Sequence, residues 1–231
     1  MAINFFNPEA PEGIVGSQWD VQGTNPSTTR ERVASLGSDG DETASFLYGE
    51  KTTININCSC KAPAGTILDI PSVGTVVGGY HIDSVSLTFS ATSQPTMDIT
   101  AHKHGANKSH EEEHRTYSLP AAIKSTLKAG VGVPTGIAGL SLSELTDGFS
   151  QVTIALAANH VEAPYCGTPP AIPASDNHDG SVTVTAEVVG NGTPTVASGI
   201  NYDQTDDSTT NGNTTNDSRS LTYVLHIAYD K

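Results

Sequence analysis

From residue 51 onward the hydrophobic positions recur every second residue, the period of a strand with one buried face. In "TTININCSC", Ile54, Ile56, Cys58 and Cys60 share one face, and Thr53, Asn55, Asn57 and Ser59 the other. "IDSVSLTFS" places Val85, Leu87 and Phe89 together, and "PTMDITAH" does the same for Met97, Ile99 and Ala101. The polar "ATSQ" between them reads as a hairpin connection. "QVTIALAAN" (Val152, Ile154, Leu156) and "SVTVTAEVV" (Val182, Val184, Ala186, Val188) repeat the pattern. In "LTYVLHIAY", Leu221, Tyr223, Leu225 and Ile227 form one face, with Val224 and Ala228 behind, which predicts a central strand covered on both sides. Strands buried on one face and joined by polar turns predict an all-β protein, mainly an antiparallel β-sandwich or barrel-like domain.

Two segments break this period. "LPAAIKSTLKAG" has Pro120 near its start, Ile123 and Leu127 at helical spacing, and Gly130 as a stop, predicting one short helix near 119–130. "GINYDQTDDSTTNGNTTNDSRS" predicts a long polar loop at about 199–220. Residues 1–50 show no sustained period, yet carry Phe5, Phe6, Trp19, Phe46 and Tyr48. That is more aromatic content than a disordered tail holds, so 1–50 reads as an extended N-terminal arm with anchor residues. Residues 51–231 read as a single domain.

Composition sharpens this picture. Only 16% of residues are charged, and Ser, Thr, Asn and Gly keep the surface polar, as suits strands better than helices. A net charge of −14 repels nucleic-acid phosphates, which excludes groove binding. The opening "MAINFFNPEAPEG" lacks a basic segment followed by an apolar run, so no signal peptide and synthesis in a cytoplasm are expected. No apolar run is long enough to predict a membrane span. Cys58, Cys60 and Cys166 fit a reducing compartment, with the first two as buried thiols.

One stretch looks catalytic. "AHKHGANKSHEEEHRTYSLP" contains His110-Glu111-Glu112-Glu113-His114, literally the H-E-x-x-H of a zinc peptidase. A zinc-binding helix needs a buried face to hold its ligands, whereas the x positions here are Glu112 and Glu113 and the flanks are polar. The segment therefore reads as a charged connector, and no catalytic residue is assigned. A structural zinc is the alternative: His102 and His104 leave one strand face, and His110 and His114 follow, giving four imidazoles to a tetrahedral ion. The expectation is that these histidines face water at a subunit contact. "GSDGDE" and "NHDG" lack a calcium loop's ordered ligands and read as turns, and "VGVPTGIAGL" reads as a glycine-rich connector.

The "YHIDSVSLTFSATSQPTMDITAHKH" hairpin, the "QVTIALAANHVEA" strand and the final "SLTYVLHIAYDK" strand, with the helix lying between the first two, resemble structural proteins of tailed-bacteriophage virions. The likeness is to tail-tube (major tail) proteins, and covers most of residues 51–231 as style and order of elements. It implies a non-enzymatic, self-assembling subunit of homo-oligomeric, hexameric rings, stacked around a channel that DNA passes as non-specific cargo. It further implies contact with other virion proteins and a place in the virion. An acidic lumen would then repel the passing phosphates. Asp203, Asp206, Asp207 and Asp217 are expected at a subunit or ring contact. A head decoration or other capsid-associated role is the alternative within this class. A carbohydrate-binding sandwich would need an exposed aromatic platform, for which Trp19 is the only tryptophan.

Overall fold

The computed structural model describes residues 11–36, 38–104, 114–142, 148–163, 174–190, 192–210 and 218–228. Strands hold 59% of the residues and helix 2%, so the protein is all-β, built from two antiparallel sheets. In chain order the elements are β1 (Trp19–Leu36), β2 (Glu42–Cys60), β3 (Val76–Val77), β4 (Tyr80–Ser90), β5 (Thr96–His104), α1 (Ala121–Lys124), β6 (Gly136–Ile137), β7 (Leu140–Ser141), β8 (Gly148–Ala163), β9 (Ala174–Val189), β10 (Thr195–Val196), β11 (Asp203–Thr210) and β12 (Ser218–His226). The large sheet runs β1-β2-β5-β4-β8-β9-β12-β11, with β3 paired to β4, and the small one runs β10-β7-β6.

The alternating residues bury as their spacing requires. Ile56, Cys58, Val85, Leu87, Phe89, Met97, Ile99, Val152, Ile154, Leu156, Val182 and Val184 all lie in the core, on one face of the large sheet. Irregular chain covers that face. Leu68 and Val73 descend from the segment after β2, Ile123 and Leu127 from the α1 region, and Ile137 and Leu140 from the small sheet. Trp19 plugs the β1 end of this layer, and its indole N–H donates to the Asp69 carbonyl at 2.9 Å. A buried tryptophan with its polar handle satisfied is core material, not an exposed platform for sugars.

The helix is a single turn. Thr126 Oγ1 donates back to the Ile123 carbonyl at 2.7 Å and Ser125 Oγ to the Ala122 carbonyl at 3.2 Å, local bonds that compete with helix continuation. The chain then pairs as strand, Lys128 bridging to Ile67. Gly74 (φ 83°) fits because a Cβ there would overlap the Arg115 carbonyl, where the segment after β2 passes Val73–Tyr117 pairing.

Three expectations change in detail. The boundary at residue 50 falls inside β2, and the stretch from Trp19 pairs with β2 as a long hairpin, not as a separate arm. Residues 203–210 of the supposed loop are β11, paired with β12, which leaves only 211–217 of that connection outside the described residues. β12 sits one strand from the edge rather than centrally, and Val224 on its second face is half-buried. Polar edge strands carry no apolar alternation, which is why the period of two stopped short of β1 and β11.

The two longest hairpins outrun the sheet. β2 pairs with β5 only over Lys51–Ser59, so residues 42–50 and their β1 partners continue as a two-stranded ribbon. Likewise β8 pairs with β4 only over Gln151–Ala157, while Asn159–Ala163 go on pairing with Ala174–His178 of β9. The antiparallel order puts both extensions at one end of the sheet, beside the C-terminus of β5 and the start of β4.

Candidate functional site

The second face of the large sheet is polar. Ser84, Ser86 and Thr88 of β4, Thr100 and Asp98 of β5, Thr153 of β8, Thr183 and Thr185 of β9, and Asn55 and Asn57 of β2 occupy the positions between the core residues. Their side chains tie neighbouring strands to one another. Thr100 donates to Asn55 at 3.0 Å, Asn57 to Asp98 at 2.5 Å, and Gln22 bonds both Asp20 and Ser59 at 2.9 Å. Cross-strand polar pairs of this kind stabilise a solvated sheet face modestly. The carboxylates on it, Asp20, Asp98 and Glu187, give it a negative cast.

Where this face reaches the ribbon end, it becomes a nest of imidazoles. His102 and His104 stand two residues apart on β5, so both point to the same side. They are buried, at 0% and 6% exposure, which overturns the expected water-facing position. The register pairs His102 with His81 of β4. His114, arriving from the chain that precedes Tyr117, stacks its ring on His81 with centroids 3.8 Å apart and planes at 20°. The His102 ring lies 5.2 Å from His104 and 5.6 Å from His114. Its Nδ1–H donates to Asp83 Oδ1 at 2.7 Å.

A backbone irregularity makes that last contact. Ile82 pairs with Ala101 and Ser84 with Thr100, so Asp83 is an extra residue on β4. A bulge re-aims the side chain of its extra residue, here a carboxylate turned onto a buried histidine.

Of the four histidines singled out for metal, the structure brings together His102, His104 and His114, while His110 lies outside the described residues. His114 belongs to no helix, so its end of the HEEEH stretch lacks the support an H-E-x-x-H helix provides. Sequence reasoning missed His81 and Asp83. The "HID" of "YHIDSVS" was the available signal, but only the register and the bulge carry these side chains to His102. Among the described residues, no group of three or more His, Cys, Asp or Glu side chains could hold a metal ion.

The two described cysteines are chemically quiet. Cys58 and Cys60 are buried free thiols, while Cys166 lies outside the described residues. Burial, with Asp98 and Asp20 nearby, pushes the Cys58 thiol up to about 12, so it carries no thiolate near neutrality. Asp207 is held in a forked contact by Arg219 across β11 and β12, with Nε donating to Oδ1 at 2.7 Å, and its carboxyl lies below the usual range for that reason. Asp203 and Asp206 are exposed on the edge strand β11, and Asp217 lies outside the described residues. No helix of the described residues is long and apolar enough to cross a membrane.

The chain matches no protein-family model, and it matches no curated protein.

Proposed function

We propose that this chain is a non-enzymatic structural subunit of a virion that assembles with copies of itself, most specifically a tail-tube subunit forming stacked rings around a DNA channel. The observation that carries the reading is the pair of two-stranded ribbons leaving one end of the sheet. A two-stranded ribbon is marginal by itself in water and gains stability by docking on another surface. Two of them on the same side of one sheet are what a subunit needs to grip its neighbours.

The sheet supports the same reading. Its terminal strands β1 and β11 have a single sheet neighbour each among the described residues, and they are different strands. Pairing an edge of one copy with the other edge of the next is heterologous, and such contacts close into rings when the rotation allows. The polar face, carrying Asp20, Asp98 and Glu187, suits a channel wall that phosphates do not stick to. The net charge of −14 acts in the same direction.

Negative-stain electron microscopy of the purified protein tests the proposal. Rings or tubes support it. Persistent monomers or trimers would move the assignment to a head decoration or other capsid-associated protein.

A further inference from the structure

We propose that the acidic tip of the β1–β2 ribbon docks on the opposite end of a second copy of this chain, where Lys61, Lys124 and Lys128 flank exposed Ile67 and Val131. This rests on the self-assembly reading and names the surface that the ribbon grips.

The two ends differ in charge. The turn between β1 and β2 contains Asp39 and Asp41, β2 opens on Glu42, and no Lys or Arg occurs between Val33 and Gly49. Asp39 and Asp41 are exposed. At the other end of the hairpin the cations gather. Lys61 follows β2 directly and pairs with Asp20 at 3.9 Å, and Lys124 Nζ donates to Asp69 Oδ1 at 3.0 Å. Lys128 is exposed and bridges to Ile67 through the backbone. Gln18, just before β1, ties these pieces together. Its carbonyl accepts from the Lys61 N–H at 2.8 Å, and its side chain bonds the Ile67 carbonyl and the Asp69 N–H. Three of the chain's eleven Lys and Arg residues thus share one corner with Asp20 and Asp69, in a protein of net charge −14.

The same corner is apolar at its centre. Ile67 is 50% exposed and Val131 61%, two of the four large hydrophobic side chains left exposed among the described residues. Val131 lies two residues beyond Ala129, whose N–H donates to the Thr66 carbonyl at 2.8 Å. An apolar centre with charged side chains around it is the usual layout of a protein–protein contact.

Length decides which molecule can fill it. The 18 residues of β1, at about 3.3 Å each, put the ribbon tip roughly 55–60 Å from Gln18. A paired hairpin of that length does not reach back to its own start, so the tip meets this corner only on another copy. Contact between unlike ends is heterologous and repeats along the strands, so copies joined this way stack without closing. The opposite charges steer the tip and set its register.

The test is sedimentation velocity and negative-stain microscopy of the full chain and its variants, at low and high salt. Asp39→Lys with Asp41→Lys, and separately Lys128→Glu, should each weaken end-to-end association by about 10-fold, and high salt should weaken that of the parent. All three changes in one chain should restore most of it, which a general change of net charge would not do. Val131→Asp should weaken stacking with Tm unchanged, because that side chain is exposed. Carbodiimide coupling of a mixture of isotope-labelled and unlabelled chains should join Asp39 or Asp41 to Lys128 between chains. Stacks that are equally stable in the parent and in both charge-reversal variants overturn the docking and leave the assembly reading standing. Weakening by either reversal without recovery in the combined chain overturns it too. A parent that never associates overturns both.

Discussion

Asp83 reaches His102 because β4 carries one residue too many: its Oδ1 accepts from the buried Nδ1–H at 2.7 Å. The pairing partners on either side, Ile82 with Ala101 and Ser84 with Thr100, leave Asp83 unmatched and turn it onto the ring. A buried histidine is thereby given a fixed tautomer at the end of the sheet where both ribbons depart.

Removing that carboxylate should cost stability. Asp83→Ala leaves the fully buried His102 Nδ1–H without its acceptor, and a loss of about 1–3 kcal/mol is expected. Asp83→Asn, which keeps an acceptor oxygen, should lose less. Urea denaturation of the two variants checks the order, and equal stability of all three proteins would show that the contact contributes little.

Gly74 should resist substitution. Its φ of 83° and the Arg115 carbonyl beside it leave no room for a Cβ, so Gly74→Ala should destabilise by about 1–3 kcal/mol. Gly40, also at positive φ but with open space around it, is the control: Gly40→Ala meets backbone strain alone and should cost less. A thermal melt of each distinguishes them.

Stability should fall in alkali. Burial raises the thiol of Cys58 from its ordinary 9.0 to about 12, and raises Cys60, Tyr202 and Tyr223 as well. The folded chain therefore keeps protons that the unfolded chain gives up. This contribution is complete below 9.0 and is lost as pH climbs from there towards 12. Urea midpoints taken across that range should decline steadily, and Cys58→Ala should flatten part of the decline. In the native protein at about pH 8, Cys58 should not react with a thiol reagent.

How much of this was legible beforehand depended on burial. The core faces of β2, β4, β5, β8 and β9 were readable because one side of each is apolar, as in Val85, Leu87 and Phe89. β11 was not, since "DQTDDSTT" lies exposed at a sheet edge with no apolar side to betray its period. β1 was hidden for the same reason where its side chains are described: Asn25 to Arg30 are exposed, and among the described side chains of this strand only Trp19 and Val21 enter the core. Ile123 and Leu127 are both buried as helical spacing foretold, yet only one turn forms, because the Ser125 and Thr126 hydroxyls take the carbonyls back. In the histidine cluster, His102 and His104 were visible as a strand pair. His81 and Asp83 were not, because register and a bulge are properties of two strands together. The ribbons escaped notice because strand length beyond the neighbours' ends leaves no mark on composition.

The ribbons should be dispensable for folding and needed for assembly. Replacing residues 159–178 with a short turn retains every β8 pairing to β4 and every β9 pairing to β12. The shortened protein should melt cooperatively, near the parent temperature, and remain monomeric in sedimentation. Retained oligomers would take the gripping role away from this ribbon.

The most direct measurement of the central claim is electron microscopy of the purified, full-length protein at high concentration. The account predicts rings with a central opening, stacked into tubes, whose inner wall carries the Asp98 and Glu187 face of the large sheet. A protein that stays monomeric at every concentration, or rings with that face turned outward, would contradict it.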